Sequence, residues 1–352
     1  MIEIPLDDRL DTKAFSEMLS NTQNSYKHLL FGYLLKEIKK RDESKLTFSS
    51  GDLEQGMLNL AKFPAIKCRL SLGNRDQTVA ILNNPNMNQA KTELLNWVSF
   101  RLIRPYFDSI LKNKPDQTIN ASIYELSQKE FSNAKPPLYQ IKIDEQKLLS
   151  LEIHKYWYVY ILKNFDIIDG WRRWHWASYL QRRNPSALNV MQKLEEEKRK
   201  TAALTKIRSV WREMSNAESS SILCTYSRKP IEQKEIVVDH FLPWSYLGHD
   251  QLWNLCPTVQ SINSKKSDRL PSGLYLKSLI EIQYKTLCWI KEEKKQRDWH
   301  SFSDFYVSEL QLTEDELIKK SNFESALIRS ISPHYQLAKN MGFSTNWTLT
   351  LS

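Results

Sequence analysis

Residues 238–272 read VDHFLPWSYLGHDQLWNLCPTVQSINSKKSDRLPS, and the rest of the chain is interpreted outward from this stretch. It places Asp239 and His240 side by side, then Asn254, then Asn263 along a short path that can fold so that all four converge. A carboxylate, an imidazole and amide oxygens are the groups that phosphodiester hydrolysis at one metal ion requires. We therefore expect the remaining residues to hold this stretch against a nucleic acid.

The local patterns predict a strand, a loop, a second strand and a helix. Ile236 and Val238 alternate with Val237 and Asp239, which is typical of a strand. Pro257 and Thr258 suit the start of a helix, which would end before Pro271. The predicted elements are β-like runs at 222–226 and 235–240, a loop at 241–252, a second strand at 253–255 and a helix through Asn263 to Ser267.

These residues resemble an HNH nuclease of the ββα-metal (His-Me finger) superfamily. The motif is most similar to the HNH domain of RNA-guided CRISPR effector nucleases, and the resemblance covers residues 222–272. Asn254 and Asn263 follow His240 by 14 and 23 residues, which is the family's spacing. No arginine-rich bridge or second nuclease site accompanies the motif, so RNA guidance is not inferred and we expect a stand-alone bacterial or phage nuclease.

The resemblance implies a role for each residue of the motif. His240 would be the general base, and Asp239 with Asn263 would bind one Mg²⁺ ion, with Mn²⁺ as a substitute. Many members have His where this chain has Asn263. Asn254 would hold the loop and His240 in place by hydrogen bonds.

Basic residues after Asn263 would help to neutralise the substrate. Lys266 lies where it can act on the scissile phosphate and is counted with the catalytic residues, while Lys265 and Arg269 are weaker candidates for nucleic-acid binding. His249 has no matched role and is interpreted as a surface residue.

No structural zinc is expected. Many HNH domains carry two Cys-x-x-Cys pairs, but here Ser227 stands three residues after Cys224, and no second pair exists. Cys224 and Cys256 are interpreted as small buried residues.

The composition favours a polyanionic partner without proving one. The chain has 352 residues and a formal net charge of +9, which is also compatible with an ordinary solvated surface. Four tryptophans and four arginines lie between Tyr156 and Arg183. These residues are Trp157, Trp171, Trp174, Trp176, Arg172, Arg173, Arg182 and Arg183. In one interpretation they form a nucleic-acid face. In the other, the tryptophans belong to the core and the arginines are solvated.

The fold class is predicted to be mainly α, with a small α+β insertion between helical N- and C-terminal regions. Only 8 Gly and 13 Pro punctuate the chain, which suits long helices. Residues 138–153 predict a β-hairpin. Other expected features are a buried helix at 91–112 broken at Pro105, single helices at 187–214 and 275–297, a linker at 215–221, and a capping box of Thr313 with Glu316.

Three regions follow from these patterns. Residues 1–214 would form a mostly helical domain that recognises a substrate or a protein partner, and 215–275 would form the HNH domain. Residues 276–352 would be helices that pack on the N-terminal helical body.

The function expected from the sequence is a metal-dependent endonuclease that hydrolyses duplex DNA, by nicking or double-strand cleavage, in restriction or anti-phage defence. Two alternatives stay open: a nucleic-acid-binding subunit whose HNH unit does not cut, and a nuclease acting on RNA or single strands. Because the N-terminus lacks a basic leader and no apolar run approaches about 20 residues, we expect a cytoplasmic protein without a membrane contact.

Overall fold

The computed structural model describes residues 3–350 apart from positions 21, 85, 146, 197–201 and 218–221. It divides into two compact units, Met1–Glu196 and Glu197–Ser352. Helices dominate the described residues and strands are few, so the predicted class, mainly α with a small α+β unit, is confirmed. No helix in the described ranges is long and apolar enough to cross a membrane.

The first unit is a helical body with one small antiparallel sheet of strand order β1-β3-β2. Its strands are β1 (Thr47–Ser49), β2 (Tyr139–Asp144) and β3 (Lys147–Ile153). Its helices are α1 (Thr12–Glu17), α2 (Tyr26–Ile38), α3 (Ser50–Ala61), α4 (Thr78–Asn83), α5 (Asn88–Leu102), α6 (Asp108–Leu111), α7 (Asp116–Lys129), α8 (Lys155–Lys163) and α9 (Phe165–Arg183).

An aromatic cluster fills the core of this unit. The ring of Phe15 stacks on Trp157 at 4.8 Å and on Trp171 at 5.6 Å between ring centroids. Large aromatic side chains bury much apolar area for little lost conformational freedom, so α1, α8 and α9 are held together where these rings meet. The tryptophans of this region are therefore mainly structural.

The predicted hairpin at 138–153 is present as β2 and β3, and β1 adds a third strand that the sequence pattern did not indicate. A three-residue strand is too short to produce a recognisable alternation. The predicted break at Pro105 is also present, because α5 ends at Leu102 and a 3₁₀ turn, Arg104–Phe107, precedes α6.

The second unit surrounds a two-stranded antiparallel sheet with helices. Its strands are β4 (Val237–His240) and β5 (Leu255–Thr258). Its helices are α10 (Ala202–Ala217), α11 (Trp244–Leu247), α12 (Gln260–Lys266), α13 (Leu276–Glu293), α14 (Gln296–Leu310), α15 (Glu314–Leu317) and α16 (Lys320–Asn340).

The strand, loop, strand and helix predicted around Asp239 are present, with the second strand displaced. Asp239 pairs with Cys256 and His240 with Leu255 in the β4/β5 ladder. The predicted strand at 253–255 begins only at Leu255, because residues Leu252–Asn254 form a 3₁₀ turn. Pro257 and Thr258 were predicted to start the helix but belong to β5, and α12 starts at Gln260 and contacts β4.

Several helix boundaries differ from the predictions. Residues 187–214 are not one helix: a 3₁₀ turn covers Val190–Lys193, and α10 runs from Ala202 to Ala217. The predicted helix at 275–297 ends at Glu293, and α14 starts at Gln296. The capping box of Thr313 and Glu316 is confirmed.

The compact units also divide the chain elsewhere than expected. The division falls at residues 196 and 197, and within the second unit α10 contacts β4, β5 and α13. The predicted linker at 215–221 begins inside α10, and its positions 218–221 lie outside the described residues. The C-terminal helices belong to the same unit as β4 and β5, so α13 supports the small sheet directly.

Candidate active site

Strand β4 carries two adjacent functional side chains, Asp239 and His240. Successive side chains on a strand point to opposite faces, so neighbours in sequence receive different surroundings. Asp239 is only 5% exposed. His240 is half-buried at the end of the strand, where the chain turns into the loop before α11. The strand thus offers a shielded carboxylate beside an imidazole that solvent can reach.

Asp250 orients the His240 ring. The Nε2 atom of His240 lies 2.7 Å from Oδ1 of Asp250. Because an ionised carboxylate can only accept a hydrogen bond, this geometry favours the neutral tautomer in which Nε2 is the donor and Nδ1 the acceptor. The pair therefore sets the tautomer that can accept a proton from water. The sequence motif contained this aspartate, but its role was not anticipated.

Lys266 reaches Asp239 from helix α12. Its Nζ lies 3.0 Å from Oδ2 of Asp239 and donates to the carbonyl oxygen of His240 at 2.7 Å. Lys266 is 0% exposed. The prediction that this ammonium neutralises the substrate phosphate does not fit such burial, because both contacts are internal to the protein. Lys266 instead stabilises the charge of Asp239 and the end of β4.

Tyr226 contacts the same carboxylate and was not anticipated. Its hydroxyl donates to Oδ2 of Asp239 at 2.5 Å. Burial, followed by the nearby charge of Asp239, raises the pKa of Tyr226 well above its ordinary value, which keeps the hydroxyl protonated as a donor. No local pattern links a tyrosine thirteen positions earlier to Asp239, so the contact is visible only in the fold.

Asn254 ties the loop after His240 to the sheet. Its Oδ1 accepts from the amide of Leu242 at 2.7 Å, and its Nδ2 donates to the carbonyl of Leu242 at 2.9 Å. The backbone carbonyl of Asn254 accepts from Phe241 at 2.7 Å. Since Asn254 is 0% exposed, these bonds form without competition from water. The geometry suits the loop-holding role that the resemblance implies.

The residues expected to bind a divalent ion are compatible with one. All hydrogen bonds to the Asp239 side chain within the described part of the chain end on Oδ2, so Oδ1 is available as a ligand. Asn263 lies half-buried on α12, the helix that contacts β4. A carboxylate oxygen and an amide oxygen are hard donors that suit Mg²⁺, which ordinarily keeps several water ligands. The described residues contain no cluster of three or more His, Cys, Asp and Glu side chains.

Lys265 and Arg269 lie on the outside of this unit. Both are exposed. The Nε atom of Arg269 donates to the carbonyl of Lys266 at 3.2 Å, and its guanidinium lies 5.8 Å from the ring centroid of Trp347. The two residues therefore remain candidates for contact with a phosphate backbone.

The four arginines of α9 have different surroundings. Arg172 is 2% exposed and forms ion pairs with Asp169 at 2.7 Å and Glu195 at 2.8 Å. It belongs to the interior of the first unit, which corrects the prediction that it binds nucleic acid. Arg182 and Arg183 are exposed, and Arg173 is half-buried.

Only part of the aromatic and basic region can meet a ligand. Arg183 donates to the carbonyl of Gln23 at 2.8 Å and lies 5.2 Å from the ring centroid of Tyr179. Trp171 and Trp176 are buried, whereas Trp174 is 56% exposed. The interpretation in which the tryptophans are core therefore applies to most of them, and Trp174 is the exception.

Cys224 and Cys256 are buried beside the site. The Cys224 Sγ lies 3.4 Å from the Thr258 hydroxyl, and the amide of Ser227 donates to it at 3.5 Å. Burial raises the pKa of the Cys256 thiol, so this group stays protonated. Both cysteines act as packing residues in this arrangement.

Comparison with known proteins gives one positive result. Residues 224–272 match the family model described as HNH endonuclease, and this range includes Tyr226, Asp239, His240, Asp250 and Lys266. No curated protein and no solved structure matches the chain.

Proposed function

We propose that this chain, which carries an HNH endonuclease domain at residues 224–272, hydrolyses DNA phosphodiester bonds with the help of Mg²⁺. Membership of that family implies a nuclease. The observation that best supports an intact site is the hydrogen bond between His240 and Asp250 beside the buried carboxylate of Asp239. A non-cutting HNH unit would have no need for an imidazole held in this tautomer.

His240 would act as the general base. Its Nδ1 takes a proton from water as the water oxygen attacks phosphorus, and Asp250 stabilises the imidazolium that forms. A positioned base of this kind contributes roughly 10² to 10⁴ in rate. Hydrolysis breaks the bond between phosphorus and the 3′ oxygen, which takes up a proton from solvent water, and leaves 5′-phosphate and 3′-hydroxyl ends.

Asp239 and Asn263 would hold the divalent ion. When bound, the ion stabilises negative charge on the scissile phosphate and on the leaving oxygen. The protein's own contribution is to keep Oδ1 of Asp239 available and the loop after His240 fixed through Asn254.

Duplex DNA is the proposed substrate, with Lys265, Arg269, Arg182 and Arg173 as candidate phosphate contacts. Plasmid incubated with the protein in Mg²⁺ tests this proposal through the appearance of nicked or linear forms. Intact plasmid in both Mg²⁺ and Mn²⁺, together with retained binding, would favour the alternative of a non-cutting subunit.

RNA or single-stranded DNA is the second candidate substrate, and the exposed ring of Trp174 favours it. Bases stack on such rings in single strands, and stacking depends less on salt than phosphate pairing does. Competition between duplex and single-stranded oligonucleotides over a salt series distinguishes the two substrates. A Trp174→Ala variant should lose affinity only for single strands if this alternative holds.

The first unit would recognise the substrate or a protein partner. Tyr156, Val159 and Leu162 are exposed along one face of α8, and an exposed apolar face is typical of a protein contact.

A cytoplasmic role in restriction or anti-phage defence follows from the resemblance to stand-alone HNH nucleases. Phage plating on cells that produce the wild type or His240→Ala tests this role. Equal plating would contradict it.

A further inference from the structure

We propose that Tyr226 and Lys266 form a buried clamp on Asp239 that determines which carboxylate oxygen is presented to the metal ion. This carboxylate clamp, defined as the Tyr226 hydroxyl and the Lys266 ammonium, rests on the proposed function, in which Asp239 is a metal ligand. Both clamp residues are positioning residues, since neither is placed to touch the substrate.

The two donors converge on a single oxygen. The Tyr226 hydroxyl lies 2.5 Å and the Lys266 ammonium 3.0 Å from the same atom, Oδ2 of Asp239. A carboxylate with one oxygen engaged twice cannot rotate without breaking both contacts. Oδ1 is then the oxygen available to an ion, which favours one-oxygen ligation of the kind that the compact octahedral shell of Mg²⁺ accepts.

Burial makes these contacts strong and specific. Lys266 is 0% exposed and Tyr226 is 4% exposed, so water does not compete for Oδ2. A charge removed from water is stable only when it is paired and hydrogen-bonded, and Lys266 has both the Asp239 carboxylate and the His240 carbonyl as partners. One ammonium therefore links the metal ligand to the backbone of the general base.

The fold holds the Tyr226 hydroxyl in position before any ion binds. The amide of Thr225 donates to the carbonyl of Pro257 at 3.0 Å, which attaches the turn before Tyr226 to β5. The Tyr226 ring meets the rings of Tyr275 and Trp347 edge-on at 5.1 and 5.2 Å between centroids. Groups outside the ligand set that orient a metal ligand ordinarily change metal affinity by about 10- to 100-fold when they are removed.

Tyr226→Phe is the deciding variant because it removes one hydroxyl and keeps the ring packing. Mn²⁺ binding to the full chain without nucleic acid is measured by titration calorimetry and by the electron paramagnetic resonance of free Mn²⁺. We expect the dissociation constant to rise by about 10-fold or more, as for other groups that orient metal ligands.

Tyr306→Phe is the matched control. The Tyr306 hydroxyl is buried in the same unit and donates to Oε1 of Gln283 at 2.5 Å, without contacting Asp239. This variant should lose thermal stability while it binds Mn²⁺ like the wild type. Equal Mn²⁺ affinity in Tyr226→Phe and the wild type overturns the clamp, as does an equal loss of affinity in both variants.

Lys266→Arg and Lys266→Met extend the test. Arginine retains the charge and should retain part of the Mn²⁺ affinity, whereas methionine should lose it, with the thermal midpoint recorded to detect unfolding. The binding measurement also separates the two proposals. A wild type that binds Mn²⁺ but cuts no nucleic acid contradicts the proposed function alone, whereas one that cuts and whose Tyr226→Phe variant binds normally contradicts the clamp alone.

Discussion

The Nε2 atom of His240 lies 2.7 Å from Oδ1 of Asp250, ten residues further along the chain. The loop between the two residues contains α11 and returns Asp250 to the end of β4. This loop therefore brings to the His240 ring the carboxylate that, in the proposed mechanism, selects Nδ1 as the proton acceptor.

Asp250→Asn should lower kcat, but by a smaller factor than removal of the His240 imidazole, which should lower it by roughly 10²- to 10⁴-fold. The amide of asparagine can donate to Nε2 and so stabilise the opposite tautomer, in which Nδ1 carries the proton. Steady-state cleavage over a pH series measures the effect, with KM expected to change little. Asp304→Asn removes one exposed charge on α14 and serves as control, and an equal loss in both variants would exclude the orienting role.

Asn254→Ala should destabilise the second unit by about 2 to 4 kcal/mol, because the amide and carbonyl of Leu242 lose their partners in a buried site. Denaturant unfolding measures the difference. Asn254→Asp keeps an acceptor for the Leu242 amide but places a carboxylate against the Leu242 carbonyl in a buried site, so it should destabilise the unit at least as much as alanine. Wild-type stability in Asn254→Ala would contradict the loop-holding role.

Lys27 should make the stability of the first unit depend on pH. Burial, followed by the positive charge of Arg104, lowers the pKa of Lys27 to about 8. The charge of Asp108 opposes this shift, and the charge of Arg101 adds to it. Between about pH 8 and the ordinary value of 10.5, the unfolded chain binds more protons than the folded chain, so stability rises with pH across this window. Below about pH 8 the full penalty is present.

Lys27→Met should remove that rise and increase the free energy of unfolding at pH 7 by up to about 3 kcal/mol. Its partner, the carbonyl of Met18, lies 3.3 Å from Nζ and would lose one hydrogen bond, which reduces the gain. Denaturant unfolding at pH 7 and at pH 10 measures both the gain in the free energy of unfolding and the loss of its pH dependence. Identical pH dependence in the variant and the wild type would contradict the assignment.

Arg182→Gln should weaken nucleic-acid binding and reduce the salt dependence of log K by about 0.9 if Arg182 contacts one phosphate of duplex DNA. Fluorescence anisotropy at several salt concentrations measures the slope. Arg172→Gln should instead destabilise the first unit by about 1 to 3 kcal/mol, because the half-buried carboxylate of Glu195 loses this partner and keeps its ion pair with Lys36. If a folded Arg172→Gln variant showed a reduced salt dependence of log K, Arg172 would be a phosphate contact and not a structural residue.

The site was predictable where it depends on short spacing. Asp239 and His240 are adjacent on one strand. Asn254 comes just before the strand that pairs with them, since His240 pairs with Leu255, so the motif indicated where all three lie. Tyr226 and Lys266 meet Asp239 only through tertiary packing, which leaves no periodic trace in the sequence. Lys266 could be recognised as basic but not as buried, because burial depends on how α12 lies against β4.

The fold, like the site, was predictable where local sequence patterns determine it and not where tertiary packing does. The apolar pattern of residues 275–297 predicted α13, and the pattern of residues 138–153 predicted the hairpin of β2 and β3. Arg172 was misassigned because a basic residue beside tryptophans has the same local pattern on a surface as in an ion pair with Glu195. The break after Val190–Lys193 could not be predicted from helical spacing that continues across it.

Cleavage of supercoiled plasmid in Mg²⁺ by the wild type and by His240→Ala tests the central claim most directly. The wild type should produce nicked or linear DNA with 5′-phosphate ends, and His240→Ala should lose roughly 10² to 10⁴ in rate. A thermal midpoint equal to that of the wild type would confirm that the variant is folded. Equal cleavage by the two proteins would contradict the proposed assignment of His240 as the general base.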